Sequence, residues 1–174
     1  MSSAAEHVLR LTRTVADHPR AGVEFKDLTP VLADGDALAA VADALVAPYA
    51  GDFDVVAGVE ARGFPFAAAA AARAGVGLVL IRKAGKLPAA THGEDYDLEY
   101  GSDRLEVHVD QVPPGTRVIL IDDVLATGGT LAAARTLVER AGWRLAGYSV
   151  VLELGFLGGR ARLAPRVPYS VVTM

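Results

Sequence analysis

The chain has 174 residues (18.1 kDa), 52% of them apolar and 22% charged, enough apolar content for one domain with a buried core. Seventeen basic against twenty-one acidic residues leave a formal charge of −4, which argues against non-specific binding along nucleic acid, where lysine and arginine must neutralise many phosphates. Cysteine is absent, so disulfides, zinc–thiolate sites and thiol nucleophiles are excluded.

Residues 3–18 read as an amphipathic helix, with Val8, Leu11 and Val15 on one face, and Pro19 stops it. Glu6, Arg10, Arg13 and Asp17 deny this stretch the apolar core of a signal peptide. Residues 22–30 read as a loop that sets Phe25 between Glu24 and Lys26. Asp34 or Asp36 can cap a helix running to Ala47, ended by Pro48. A short apolar strand is expected over 54–58, a helix over 63–74 and a second buried strand over 77–81. The alanine run 67–72 lies between Arg62 and Arg73. That leaves about ten residues where a bilayer span needs about 20, so the run reads as a buried helix. No membrane partner is expected, and the expected location is the cytoplasm.

Residues 84–97 lack apolar periodicity and read as a long loop, the kind that often serves as a lid. Residues 98–109 look like two strands around Gly101-Ser102-Asp103. A third buried strand is expected over 117–121, a helix over 129–141, a fourth strand over 145–154 and a last one over 169–172. Apolar strands alternating with helices predict a single α/β domain over 1–174, with a mainly parallel central sheet flanked by helices. Ligands on such sheets bind beyond the strands' C-terminal ends.

The segment 118–130 reads VILIDDVLATGGT. Asp122 and Asp123 follow an apolar strand. Ala126, Thr127, Gly128, Gly129 and Thr130 then open the next helix. A helix N-terminus offers unpaired N–H groups and the positive dipole end to an anion. Glycine lets the backbone approach closely, and threonine adds hydroxyl donors. Carboxylates beside a phosphate cradle make sense if they bind sugar hydroxyls, a metal ion, or both. The Walker pattern is missing its lysine, because Gly129 stands before Thr130, and no G-x-G-x-x-G occurs.

This segment resembles the phosphoribosyl pyrophosphate (PRPP) signature of the type I phosphoribosyltransferases. Further segments resemble the adenine-specific branch of that family. Gly22-Val23-Glu24-Phe25-Lys26-Asp27-Leu28-Thr29-Pro30 is similar to its base-binding segment, within residues 1–33. Val59-Glu60-Ala61-Arg62-Gly63-Phe64 is similar to its pyrophosphate loop. Leu80-Ile81-Arg82-Lys83-Ala84-Gly85-Lys86-Leu87-Pro88 and Leu98-Glu99-Tyr100-Gly101 are similar to the flanks of its mobile loop, placing the lid at 84–97.

The resemblance implies a type I phosphoribosyltransferase fold and Mg²⁺-dependent transfer of 5-phosphoribosyl from PRPP to adenine. It implies a homodimer and a role in purine salvage. Ala126 to Thr130 would wrap the 5′-phosphate, and Asp122 and Asp123 would face the ribose hydroxyls. Glu60, Ala61, Arg62, Lys83 and Lys86 would bind pyrophosphate. Glu24, Phe25, Lys26 and Val124 would bind adenine: Phe25 and Val124 by covering its faces, Glu24 and Lys26 by main-chain groups reading its edge. Glu99 aligns with a glutamate near the purine and C1′ and, with Arg62, is assigned to catalysis; Tyr100 belongs to the lid. Mg²⁺ would be held mainly by PRPP oxygens, with a contact through water to Asp122 or Asp123.

Two departures stand out. Ala61 replaces a serine common in the family, and Glu24 replaces an apolar residue, with its side chain expected to point outward. A different purine specificity, or a PRPP-sensing regulator on the same fold, are the competing readings. The three lysines of the chain, Lys26, Lys83 and Lys86, all fall in segments assigned to the site.

Overall fold

The computed structural model describes residues 2–97 and 102–174. A seven-stranded sheet is built from β3 (Val55–Val59), β4 (Gly77–Lys83), β5 (Thr91–Asp97), β6 (Ser102–His108), β7 (Arg117–Leu125), β8 (Arg144–Glu153) and β9 (Tyr169–Thr173), in the order β5-β6-β4-β3-β7-β8-β9. The five strands from β4 to β9 run parallel, and the β5–β6 hairpin adds antiparallel to β4. The mainly parallel α/β sheet read from the sequence is therefore present.

The central strands are apolar on both faces because both faces are covered. Alternate residues divide between two cores. Val55, Ala57, Val59, Val118 and Leu120 face α5 (Gly129–Arg140). Val56, Ile119 and Ile121 face α1 (Ala4–Leu11), α3 (Gly35–Val46) and α4 (Gly63–Ala74). The side-chain period of two along each strand produces this division. Asp34 caps α3 by accepting from the Ala37 N–H at 2.9 Å.

Three expectations are corrected. The helix expected over 3–18 ends at Leu11. Thr12 turns back to hydrogen-bond the Val8 carbonyl, and Arg13–Val15 forms β1. β-Branched Thr14 and Val15 suit that strand, and Val15 is exposed rather than sharing the face of buried Val8. The loop expected over 22–30 holds β2 (Phe25–Asp27), paired antiparallel with β1, and the start of α2 (Thr29–Ala33), where Asp27 accepts from the Thr29 N–H and hydroxyl. Those bonds hold the Asp27 carboxyl below its ordinary value.

The long loop expected over 84–97 is a loop only to residue 90; Thr91–Asp97 pairs with β6 along its whole length. An edge strand faces solvent along one side and carries charges there, which hid its periodicity. Glu94 pairs with Arg140, which also donates to the Gly93 carbonyl, and Asp95 pairs with Arg104.

Candidate active site

The C-terminal ends of β3, β4 and β7 meet where the parallel sheet's ligands are expected. β7 runs four residues beyond the expected strand, so Asp122, Asp123 and Val124 lie within it rather than after it. Gly128 adopts φ +80 and caps α5, turning the chain so that the α5 N-terminus faces the same space.

A cavity of about 280 Å³ lies between these ends, lined by residues 60–62, Lys83, Tyr96, residues 122–124, Ala126 and Thr130. A smaller recess of about 60 Å³ adjoins it, bounded by residues 124–131 and Asp122. The carboxylates, the loop and the Glu60–Arg62 turn are thus brought together. Val124, expected to cover the base, is on the cavity wall.

Asp122 and Asp123 are both buried, at 8% and 4% exposure. Asp122 Oδ1 accepts from the Asp123 N–H at 2.9 Å. Burial first, and then the neighbouring Asp123 charge, push the Asp122 carboxyl well above its ordinary value. Burial also raises Asp123, against the opposing pull of Arg62. Arg62 Nε lies 2.8 Å from Asp123 Oδ2, yet without hydrogen-bond alignment, so this buried oxygen keeps its capacity to accept. An orphaned buried oxygen beside a second carboxylate fits a ribose hydroxyl or a water on Mg²⁺. Among the described residues no cluster of three His, Cys, Asp or Glu side chains could hold a metal unaided.

Arg62 also lies over the Phe25 ring, its Cζ 4.8 Å from the centroid, a cation–π contact. One guanidinium thus bridges the residue assigned to the base and a carboxylate assigned to the ribose. His18 packs edge-on against the same ring at 5.0 Å. The Glu60–Ala61 peptide is cis. The Glu60 carboxylate turns toward β4, where it accepts from the Lys83 N–H at 2.7 Å and pairs with Arg82 at 3.3 Å. Glu60 therefore ties its loop to β4, and Arg82 serves as its counter-ion.

The lysines separate. Lys83 lines the cavity and pairs with Asp103 at 2.8 Å, which holds its pKa above the ordinary lysine value. Lys26 directs its ammonium to Thr14 and Glu24, at 2.9 and 3.2 Å, within the β1–β2 hairpin. Lys86 is exposed and does not line the cavity. Glu24 points outward as expected. Glu99 and Tyr100 lie outside the described residues.

Two residues of the site went unread. Tyr96, a buried aromatic in a polar strand, lines the cavity with its hydroxyl 3.5 Å from Asp103. Its isolation as an aromatic among polar neighbours was the available signal. Asp103, partner to Lys83, carried none.

Residues 24–168 match the family model described as a phosphoribosyl transferase domain. The adenine phosphoribosyltransferase of Renibacterium salmoninarum is 58% identical over 172 residues, covering 99% of this chain and 94% of that one. The chain belongs to the adenine phosphoribosyltransferase family. The crystal structure of adenine phosphoribosyltransferase from Thermoanaerobacter pseudethanolicus superposes with a TM-score of 0.93 at 44% identity, over 98% of this chain and 99% of that one. The Saccharomyces cerevisiae enzyme, complexed with an imino-altritol bisphosphate and adenine, gives 0.91 at 35% identity, over 97% and 98%. No helix among the described residues is long and apolar enough to cross a membrane.

Proposed function

We propose that the chain transfers the 5-phosphoribosyl group of PRPP to adenine, giving AMP and pyrophosphate, and that its cavity is the site of that reaction. The observation that carries this reading is the paired buried carboxylate at the end of β7, running directly into the Gly128–Gly129 helix start and facing Arg62 and Lys83. A sugar flanked by a phosphate and a pyrophosphate needs those parts: hydroxyl acceptors, an anion cradle and cations.

Thr127, Thr130 and the main-chain N–H groups of residues 126–130 hold the 5′-phosphate. Asp122 and Asp123 accept from the ribose hydroxyls. Arg62 and Lys83 receive the pyrophosphate, joined by Lys86 from the loop that follows β4, and the Glu60–Ala61 turn offers main-chain groups. Because residue 61 is alanine, that turn contributes no hydroxyl. Phe25 and Val124 cover the faces of adenine, while main-chain groups at Glu24 and Lys26 read its edge.

Breaking the C1′–O bond leaves positive charge on the ribose as the bond electrons depart with pyrophosphate. Adenine N9 forms the new bond and gives up its proton. Glu99 handles that purine proton or steadies the cation, and Tyr100 belongs to the segment that covers the site. Asp122 or Asp123 would contact Mg²⁺ through water, with PRPP oxygens holding most of it, and the ion would supply positive charge for the pyrophosphate. The first 33 residues form the base-binding segment. A homodimer, a cytoplasmic location and a role in purine salvage accompany this reading.

A panel of radiolabelled bases with PRPP and Mg²⁺ tests it. Adenine should be consumed and hypoxanthine, guanine and xanthine rejected by about 10⁴ or more, since an edge-reading site leaves buried groups unpaired against the wrong purine. Better use of a 6-oxopurine would refute the specificity. PRPP binding without consumption of any base would indicate a regulator.

A further inference from the structure

A main-chain anion cradle works only if its N–H groups are held in place before the ligand arrives. The loop at residues 126–130 has no side-chain cap at Gly128. A second segment braces it instead. The turn at Gly158 that opens α6 (Gly159–Arg162) lies directly on the loop. A Cβ added to Gly159 would overlap the Ala126 carbonyl oxygen and sit 2.9 Å from Gly128 N. A Cβ added to Gly128 would sit 2.6 Å from the Gly159 carbonyl oxygen. Two glycine backbones therefore meet with no side chain between them.

That turn is itself clamped. Arg160 forks onto both oxygens of Glu153, the last residue of β8, with Nε to Oε1 at 2.8 Å, and donates to the Pro168 carbonyl at 3.0 Å. Glu153 is only 3% exposed and also accepts from the Ser170 hydroxyl at 2.6 Å. The Leu154 N–H donates to the Leu125 carbonyl at 2.9 Å, fixing this corner to the strand that leads into the loop. Neither Glu153, Gly159 nor Arg160 lines the substrate cavity or its recess.

We infer that the Glu153–Arg160 clamp is a positioning device: it presses Gly159 against Ala126 and Gly128 and holds the loop's N–H groups set for the 5′-phosphate. This rests on reading residues 126–130 as the phosphate loop. Glu153, Gly159 and Arg160 are positioning residues for phosphoribosyl binding, and they leave adenine recognition alone.

The experiment compares Gly159→Ala and Arg160→Lys with the unaltered enzyme. Gly159 opens a helix outside the left-handed region, so alanine is opposed there by contact, with the loop first and with the Leu125 side chain at 2.9 Å beside it. Lysine keeps the charge of Arg160 and loses the fork. Both variants should raise KM for PRPP and Kd for AMP by about tenfold or more, as displacement of binding groups on the scale of 1 Å can cost up to 10²-fold. KM for adenine at saturating PRPP should stay within about twofold. Should Gly159→Ala fail to fold, Arg160→Lys carries the same comparison. A lower melting temperature with unchanged PRPP and AMP affinities would overturn the inference, leaving only a structural staple. Equal loss of adenine and AMP binding would also overturn it. Thr130→Val, made in parallel, separates the two levels: if AMP affinity does not move, the phosphate-loop reading fails and the inference fails with it. If AMP affinity falls in Thr130→Val alone, the loop reading stands and the inference fails.

Discussion

Replacing Asp122 by asparagine should make the protein more stable and the enzyme worse. Asp122 is buried beside a second buried carboxylate, and its hydrogen-bond donor is the Asp123 N–H. An amide oxygen can accept the same bond without carrying charge. The substitution removes the burial penalty of one ion and its repulsion toward Asp123. Relief of this kind at a functional site typically gives about 0.5–2 kcal/mol. At about 2–4 °C per kcal/mol for a chain of this size, the melting temperature should rise by roughly 1–8 °C near pH 8. In the proposed reaction, a ribose hydroxyl held by residue 122 would exchange a charged acceptor for a neutral one, while Asp123 keeps its charge. That difference is about 1–2 kcal/mol per hydrogen bond, or roughly 5- to 30-fold in kcat/KM for PRPP.

The pH dependence follows from the direction of the shift. The folded carboxyl titrates above its ordinary value of 3.8, so over that window the folded state holds a proton that the unfolded state has lost. Stability of the unaltered protein therefore falls as pH rises from 3.8 through the raised folded value. The asparagine variant lacks that loss, so its advantage should grow with pH across the window. Differential scanning fluorimetry from pH 4.5 to 8, alongside PRPP saturation kinetics, measures both effects. A lower melting temperature near pH 8, or an advantage that shrinks as pH rises, would refute the reasoning.

Lys83→Arg keeps the charge but exchanges a compact ammonium, 2.8 Å from Asp103, for a rigid fork. KM for PRPP should rise by about threefold or more in initial-rate assays, and an unchanged KM would remove any special role for this lysine. Glu99→Gln should lower kcat by about 10²-fold or more, as loss of a positioned proton acceptor does, while PRPP affinity by calorimetry changes little. Equal losses would make Glu99 a binding residue only.

The architecture was legible where local pattern and tertiary environment agree. Buried parallel strands are apolar on both sides, so β3, β4, β7 and β8 stand out, and α4 matches its expected bounds. The carboxylate pair and the helix start after it were legible because one contiguous segment supplies them. Features made by distant pairing were not. Phe25–Asp27 becomes a strand only against Arg13–Val15, and the polar residues of β5 become one only against β6. Side-chain partnerships across elements were equally hidden. Arg62 lying between Phe25 and Asp123, and Glu60 turned toward Arg82, follow from how β3, β4 and β7 come together. Lys26 sits beside Phe25 in sequence, but the alternation of the strand sends its side chain to Thr14. The Glu153–Arg160 clamp joins residues seven apart whose meaning depends on a loop nearly thirty residues upstream.

A crystal structure with AMP bound tests the site most directly. The account predicts phosphate oxygens within hydrogen-bond distance of the N–H groups of residues 127–130. It predicts ribose hydroxyls on Asp122 and Asp123, and adenine against Phe25 with Val124 on its other face. AMP bound with its phosphate elsewhere, or with its ribose turned away from both carboxylates, would contradict it.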